Sequence, residues 1–203
     1  ALRCNDVIEH ISVDPENVYF KDIDGVLFTK SGKTLIQYPA NKPGTSYTVP
    51  TNADIVGTVA FAYNKNLESV LVLPDTPVIN DFAFMKMEKV KSITAPKSYR
   101  VGDGAFYDCP NLESIVMVNS TMNYIGGAAC ANCPKLTFVL LPEYYAEFKG
   151  ASLFANCTSL KKLKIPESVT VIGQQAFAGC SKDLTIVCKS GTVAESVALG
   201  YEF

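Results

Sequence analysis

Leu160-Lys161-Lys162-Leu163-Lys164-Ile165-Pro166-Glu167-Ser168-Val169-Thr170-Val171-Ile172-Gly173-Gln174-Gln175-Ala176-Phe177-Ala178-Gly179-Cys180 is the stretch whose reading decides the fold. Leu163 and Ile165 are two apart, so an extended segment turns both inward while Lys162 and Lys164 face out. Pro166 lacks an amide hydrogen and ends the strand, and Glu167-Ser168 suits a turn. Val169 and Ile172 return to the interior before Gly173. Burying Ala176, Phe177 and Cys180, at spacings of one and three, fits a turn or two of tight helix better than a strand.

Working outward, the same unit recurs along the chain. Prolines fall at Pro50, Pro74, Pro96, Pro142 and Pro166, with Asn119 in one more such place, in steps of 22 to 24 residues. Phe61, Phe84, Phe106, Phe154 and Phe177 keep the same time, and Cys130 stands where a further ring would fall. A third column runs Asn64, Met87, Cys109, Cys133, Cys157, Cys180, followed three residues later by Leu67, Val90, Leu112, Leu136 and Leu160. Apolar residues sit three and five beyond each of these anchors: Val70 and Val72, Ile93 and Ala95, Ile115 and Met117, Val139 and Leu141, Leu163 and Ile165. One such coil cannot bury its apolar side alone. Coils stacked at about 4.8 Å pair their strands in parallel and turn every column into a ladder, which is a solenoid.

The unit closely resembles the BspA-type leucine-rich repeat of bacterial surface proteins, and the resemblance covers essentially the whole chain. It implies an α/β leucine-rich-repeat right-handed solenoid, with stacked short parallel strands joined by tight turns and short 3-10/α turns. The expected organisation is one domain over 1–203. A degenerate repeat and β-hairpin occupy 1–46, about six repeats of roughly 23 residues fill 47–188, and a cap covers 189–203. Ile8, Ile11 and Val13 match the anchor columns of the degenerate repeat. The hairpin runs from Asp24-Gly25-Val26-Leu27-Phe28 to Leu35-Ile36-Gln37-Tyr38-Pro39 around Ser31-Gly32. Cys4 and Ile8 are spaced as Cys180 and Leu184 are, so Ala1 starts in mid-repeat and the chain is expected to be a piece of a longer protein. At the other end Thr192-Val193-Ala194-Glu195 has capping-box spacing and predicts a short capping helix ended by Gly200.

Composition narrows the function. Hydrophobic residues make up 48% and charged residues 19% of 203, enough for one substantial core. No stretch reaches the roughly 18 apolar residues of a membrane span. With 18 basic against 20 acidic side chains and no basic stripe, nucleic acid is not an expected partner. The one histidine, His10, lies between Ile8 and Ile11 without an accompanying acid and nucleophile, so no catalytic residue is assigned. Cys130-Ala131-Asn132-Cys133 has a metal-like gap, but Cys109, Cys133, Cys157 and Cys180 recur with the repeat, as small buried side chains would. No metal or cofactor is expected. Gly102-Asp103-Gly104 and Gly126-Gly127 are too short for a phosphate cradle and read as turns.

The outward strand positions carry the informative signal. Leu71, Val116, Val118, Phe138 and Leu140, with Tyr144 and Tyr145 just past the strand, form an expected exposed apolar surface. The reading is a non-enzymatic recognition module that binds a protein or glycan through this strand-lined face; a cover of loops or of a second copy, that is, self-association, is the competing account. The family resemblance implies a secreted or cell-surface setting, adhesion and a host-derived ligand. The alternative is a structural spacer or stalk within a larger surface protein.

Overall fold

The structure, a computed structural model, describes residues 7–73, 78–118, 122, 124–143, 147–148, 150–192 and 194–195. It opens with a three-stranded meander of β1 (Phe20–Ile23), β2 (Val26–Thr29) and β3 (Thr34–Gln37). The turn between β1 and β2 is Asp24-Gly25, both left-handed at φ 49° and 73°. Two such residues give the backbone twist that a tight hairpin needs. The hairpin expected around Ser31-Gly32 is present as the antiparallel pair β2/β3, and β1 is an extra strand laid antiparallel on it. Ile8 and Ile11 form no strand; the Ile8 carbonyl accepts from Asn41 and the Ile11 amide donates to Gly25.

From here the chain alternates between two faces. In order come β4 (Ser46–Val49), β5 (Ile55–Val56), β6 (Ser69–Val72), β7 (Val78–Ile79), β8 (Ser92–Thr94) and β9 (Arg100–Val101). They are followed by β10 (Ser114–Val116), β11 (Tyr124–Ile125), β12 (Phe138–Leu140), β13 (Glu147–Phe148), β14 (Lys162–Lys164), β15 (Val171–Ile172) and β16 (Thr185–Val187). The even-numbered strands from β4 line one face, in the order β12-β10-β8-β6-β4 with β14-β16 as a separate pair. The two-residue strands line another, where β5, β7, β9 and β11 continue the sheet that the meander begins through β3. All pairings between coils are parallel. The register places Val70, Ile93, Ile115 and Val139 side by side, as read from spacing, and adds Tyr47 at the head of the column. The chain is thus a right-handed solenoid of stacked parallel strands.

The aromatic column forms a stack through the core. Ring centroids are 4.9 Å apart for Phe61–Phe84, 5.7 Å for Phe84–Phe106 and 5.9 Å for Phe154–Phe177, with interplanar angles of 17°, 20° and 3°. Cys130 occupies the interior between the two sets and is fully buried. At the other end Tyr38, just after β3, stacks on Phe61 at 5.1 Å, so the meander supplies the first ring of the column. Burial, with the nearby Asp24 carboxylate a lesser cause, pushes the Tyr38 phenol up to about 12.

The arcs carrying these rings differ from the expected short 3-10/α turns. In each, the residues two before and two after the ring position are left-handed: Val59 and Tyr63, Phe82 and Lys86, Gly104 and Asp108, Ala128 and Asn132, Ser152 and Asn156, Gln175 and Gly179. The consequence is an alternation of amides. Ala60, Ala62 and Asn64 donate within the coil to Gly57, Val59 and Phe61, while Val59, Phe61 and Tyr63 donate across to Asp81, Ala83 and Met85 of the next. A regular helix would aim every amide along its own axis, leaving only those of its first turn unbonded and none alternating toward the neighbouring coil. Stacking therefore selects this zigzag over a helix. The close approach is also visible at Gly126, where a Cβ would collide with the Asp103 amide.

The α/β mix is likewise corrected: the described residues form strands and turns, and only Ala194 and Glu195 have helical geometry. The Glu195 amide donates to Thr192 and its carboxylate accepts from the Gly191 amide, so the capping-box contacts form in altered pairing. Most of the expected capping helix lies outside the described residues.

Two stability outcomes follow from this packing. Phe84→Ala removes a fully buried ring flanked on both sides and should cost about 3–5 kcal/mol in urea unfolding. Val59 is β-branched yet left-handed at φ 54°, so Val59→Gly should raise stability by up to about 1 kcal/mol in the same measurement.

Candidate functional site: the strand-lined face

Alternation along the even-numbered strands presents two outward rows. Register sets Ser46, Ser69, Ser92, Ser114 and Phe138 in one row and Thr48, Leu71, Thr94, Val116 and Leu140 in the other. The same columns continue as Lys162 and Lys164 on β14, then Thr185 and Val187 on β16. The face therefore grades from hydroxyls through a short apolar zone to ammonium groups.

Among the residues expected to bind a partner, the structure brings Val116, Phe138 and Leu140 together. Val116 pairs directly with Leu140, and Phe138 lies two residues before Leu140 on the same side. Phe138 is 50% and Leu140 41% exposed, and Val118, 45% exposed, lies two residues beyond Val116. Leu71 is separated from Val116 by Thr94, so it stands apart from this group. Tyr144 and Tyr145 lie outside the described residues.

One feature of this face is absent from the sequence reading. Ala95 donates its amide to Val116, Met117 to Leu140 and Ile165 to Val187, each at 2.9 Å. The corresponding bond from Leu141 to Lys164 is missing, and among the described residues no main-chain hydrogen bond joins β12 to β14. On the arc side the same coils stay joined, with Ala128, Cys130 and Asn132 donating to Ala151, Leu153 and Ala155. The stack is thus bound along its back and parted on its front. A cavity of about 470 Å³ opens at the parting, walled by Val139, Leu141, Ile165, Pro166 and Val187, with Lys164 and Glu143 at its edge.

The charged groups near it are unequally matched. Lys189 is 2.6 Å from Glu167, an ion pair that holds the Glu167 carboxyl below its ordinary range. Lys161, Lys162 and Lys164 form no ion pair among the described residues and are exposed.

Cys109, Cys130, Cys133 and Cys157 are interior parts of the stack, and Cys180 and Cys188 are half-buried against it. Cys109, Cys133, Cys157 and Cys180 donate their thiols to the carbonyls of Phe84, Phe106, Cys130 and Phe154 at 3.1–3.2 Å. Asn64 does the same in its coil, reaching the Pro39 and Ala40 carbonyls at 3.3 and 3.1 Å. The column is therefore one of donors, buried except at half-buried Cys180 and with Met87 the one non-donor, and each donor satisfies a carbonyl of the preceding coil. All described cysteines are free thiols, and Cys4 lies outside the described residues. Burial pushes Cys109, Cys130 and Cys157 well above the usual thiol range. Among the described residues no group of three His, Cys, Asp or Glu side chains could hold a metal, and His10 is exposed. No helix among them is long and apolar enough to cross a membrane.

The BspA type leucine-rich repeat region matches residues 40–152 and 147–196, in six copies. The chain belongs to that family. Several solved proteins share the fold of this BspA-type chain. A leucine-rich repeat protein from Eubacterium ventriosum is 24% identical with a TM-score of 0.70, the match covering 89% of this chain and 54% of that one. The pneumococcal vaccine antigen PcpA is 22% identical at TM-score 0.70, over 90% of this chain and 50% of that one. A leucine-rich repeat protein from Bacteroides ovatus is 20% identical at TM-score 0.63, over 92% and 56%. The BspA-type chain here thus spans about half the length of these solved proteins. No curated protein matches the sequence.

The thiol column carries a pH signature. Native Cys109, Cys130 and Cys157 hold their protons above the ordinary thiol value of 9.0, whereas the unfolded chain releases them near it. Their contribution is complete below that value and is lost as pH rises past it. Urea midpoints should accordingly stay level from neutral pH to about 8 and fall above about 9. Iodoacetamide at neutral pH should leave Cys109, Cys130, Cys133 and Cys157 unmodified until the chain unfolds, as peptide mapping would show.

Proposed function

We propose that this BspA-type chain is a non-enzymatic recognition module of a secreted or surface protein, binding a protein or glycan through its strand-lined face. The observation that carries the reading is the group of half-buried Val116 with exposed Val118, Phe138 and Leu140, set between the hydroxyl-bearing positions of β4 to β8 and the lysines of β14. Leaving a large ring half exposed there costs solvation that a purely structural face would avoid, and partially exposed aromatics are effective anchors for a partner. Tyr144 and Tyr145, by sequence position, extend the proposed surface, and Leu71, across Thr94, is a separate contact on the same face. Family membership and likeness to a protein described as a vaccine antigen support the surface setting, and the fold class is typically non-enzymatic.

A spacer role is the second reading, favoured by the regular stack and by the chain's covering about half of its solved relatives. The two are separated by a panel of extracellular proteins and glycans probed with the chain and with a Phe138→Asp/Leu140→Asp variant. Recognition predicts a ligand whose binding weakens at least about tenfold in a variant with an unchanged unfolding midpoint. Absence of any ligand, or a ligand indifferent to the double substitution, favours the spacer or another surface.

A further inference from the structure

The parting between β12 and β14 has three properties that together specify a ligand's chemistry. Its main-chain edge is unsatisfied, because the Leu141 amide lacks the bond that Ala95, Met117 and Ile165 make in their coils. Its walls are apolar, and about 470 Å³ is room for a large side chain. Its rim is basic on the β14 side, where Lys164 stands at the mouth with Lys162 two residues before it, both without an ion pair; of the carboxylates at the mouth, Glu167 is paired by Lys189 and Glu143 lies on the β12 side.

We propose that this parting docks an extended acidic peptide segment, with an aliphatic or aromatic side chain entering the cavity and flanking carboxylates meeting Lys162 and Lys164. The inference rests on the recognition reading above and names the partner's chemistry. An extended peptide lying across the mouth can offer one carbonyl to the Leu141 amide; Cα atoms of β12 and β14 come within 8 Å of one another, too close for it to enter between them as a further strand. Its side chains alternate in direction, so an inward apolar residue is flanked by outward ones that lie at the level of the face. Carboxylates there meet two ammonium groups that form no ion pair, Lys164 sharing only a longer-range attraction with Glu167, and the attraction is stronger beside the low-dielectric wall of the cavity than in open solvent. The same basic rim opposes a lysine-rich segment. The chain's overall charge of -2 supplies no general attraction for acidic molecules, so the preference is local to this rim.

The probe is a short N-acetylated peptide in which glutamate alternates with phenylalanine and valine, and a twin in which lysine replaces every glutamate. Both are titrated into the full 15N-labelled chain. The expected result is that the acidic peptide shifts the amides of Leu141 and Lys164, that added salt weakens it, and that the twin fails to bind. Lys162→Glu/Lys164→Glu should weaken the acidic peptide about tenfold or more, as should Val187→Trp, which narrows the mouth from an exposed position. Equal binding of the twin, shifts confined to other residues, or no binding at concentrations on the order of 1 mM overturns the proposal. A ligand that is sensitive to Phe138→Asp/Leu140→Asp yet binds the Val187→Trp variant normally overturns the cleft assignment while leaving the recognition face standing. Loss of both readings requires that neither substitution set affects any ligand.

Discussion

The main-chain hydrogen bonds that each arc sends into the next coil are the constraint on which the rest depends. They exist only because residues on both sides of each ring position are left-handed, which turns alternate amides along the axis of the stack. Once they form, the rings lie face to face, each thiol finds the carbonyl of the coil before it, and the strands on the face have no choice of register. Left-handed geometry at Val59, Tyr63 or Ala128 is unfavourable for the residue alone and persists because the neighbouring coil fixes it.

That dependence explains how much of the fold the sequence disclosed. Columns such as Val70, Ile93, Ile115 and Val139 were legible because in a stack the neighbour of each residue is its own counterpart one period away. The arcs were misread because burial at Ala176, Phe177 and Cys180 satisfies a helix and a zigzag equally. The difference lies in residues like Val59 and Lys86, whose identities give no hint of left-handed backbone. Strand β1 was missed although Asp24-Gly25, a favoured hairpin turn pair, signals it in the sequence. The cysteine column was placed correctly in the core, yet its reason was incomplete: the donors at Asn64 and Cys109 share a hydrogen-bonding task that neither size nor hydropathy reveals.

The face was legible in part for the same reason. Alternation identified which side chains point outward, but contiguity is a matter of register, and register separates Leu71 from the Phe138 group by Thr94. The parting was not legible at all. The anchors run through Leu136 and Leu160 without a break, so the sequence continues regularly across a place where the strands do not pair. What distinguishes the site is a missing bond, and periodicity is blind to that.

The thiol column has a further consequence. Because every one of its cysteines acts as a reduced hydrogen donor to a neighbouring carbonyl, the stack is held without covalent cross-links. A scaffold of this kind can be lengthened one period at a time with no pairing pattern to preserve and no oxidoreductase needed to mature it. Its integrity is consequently indifferent to the redox poise of its surroundings for as long as the interior remains closed to oxidants.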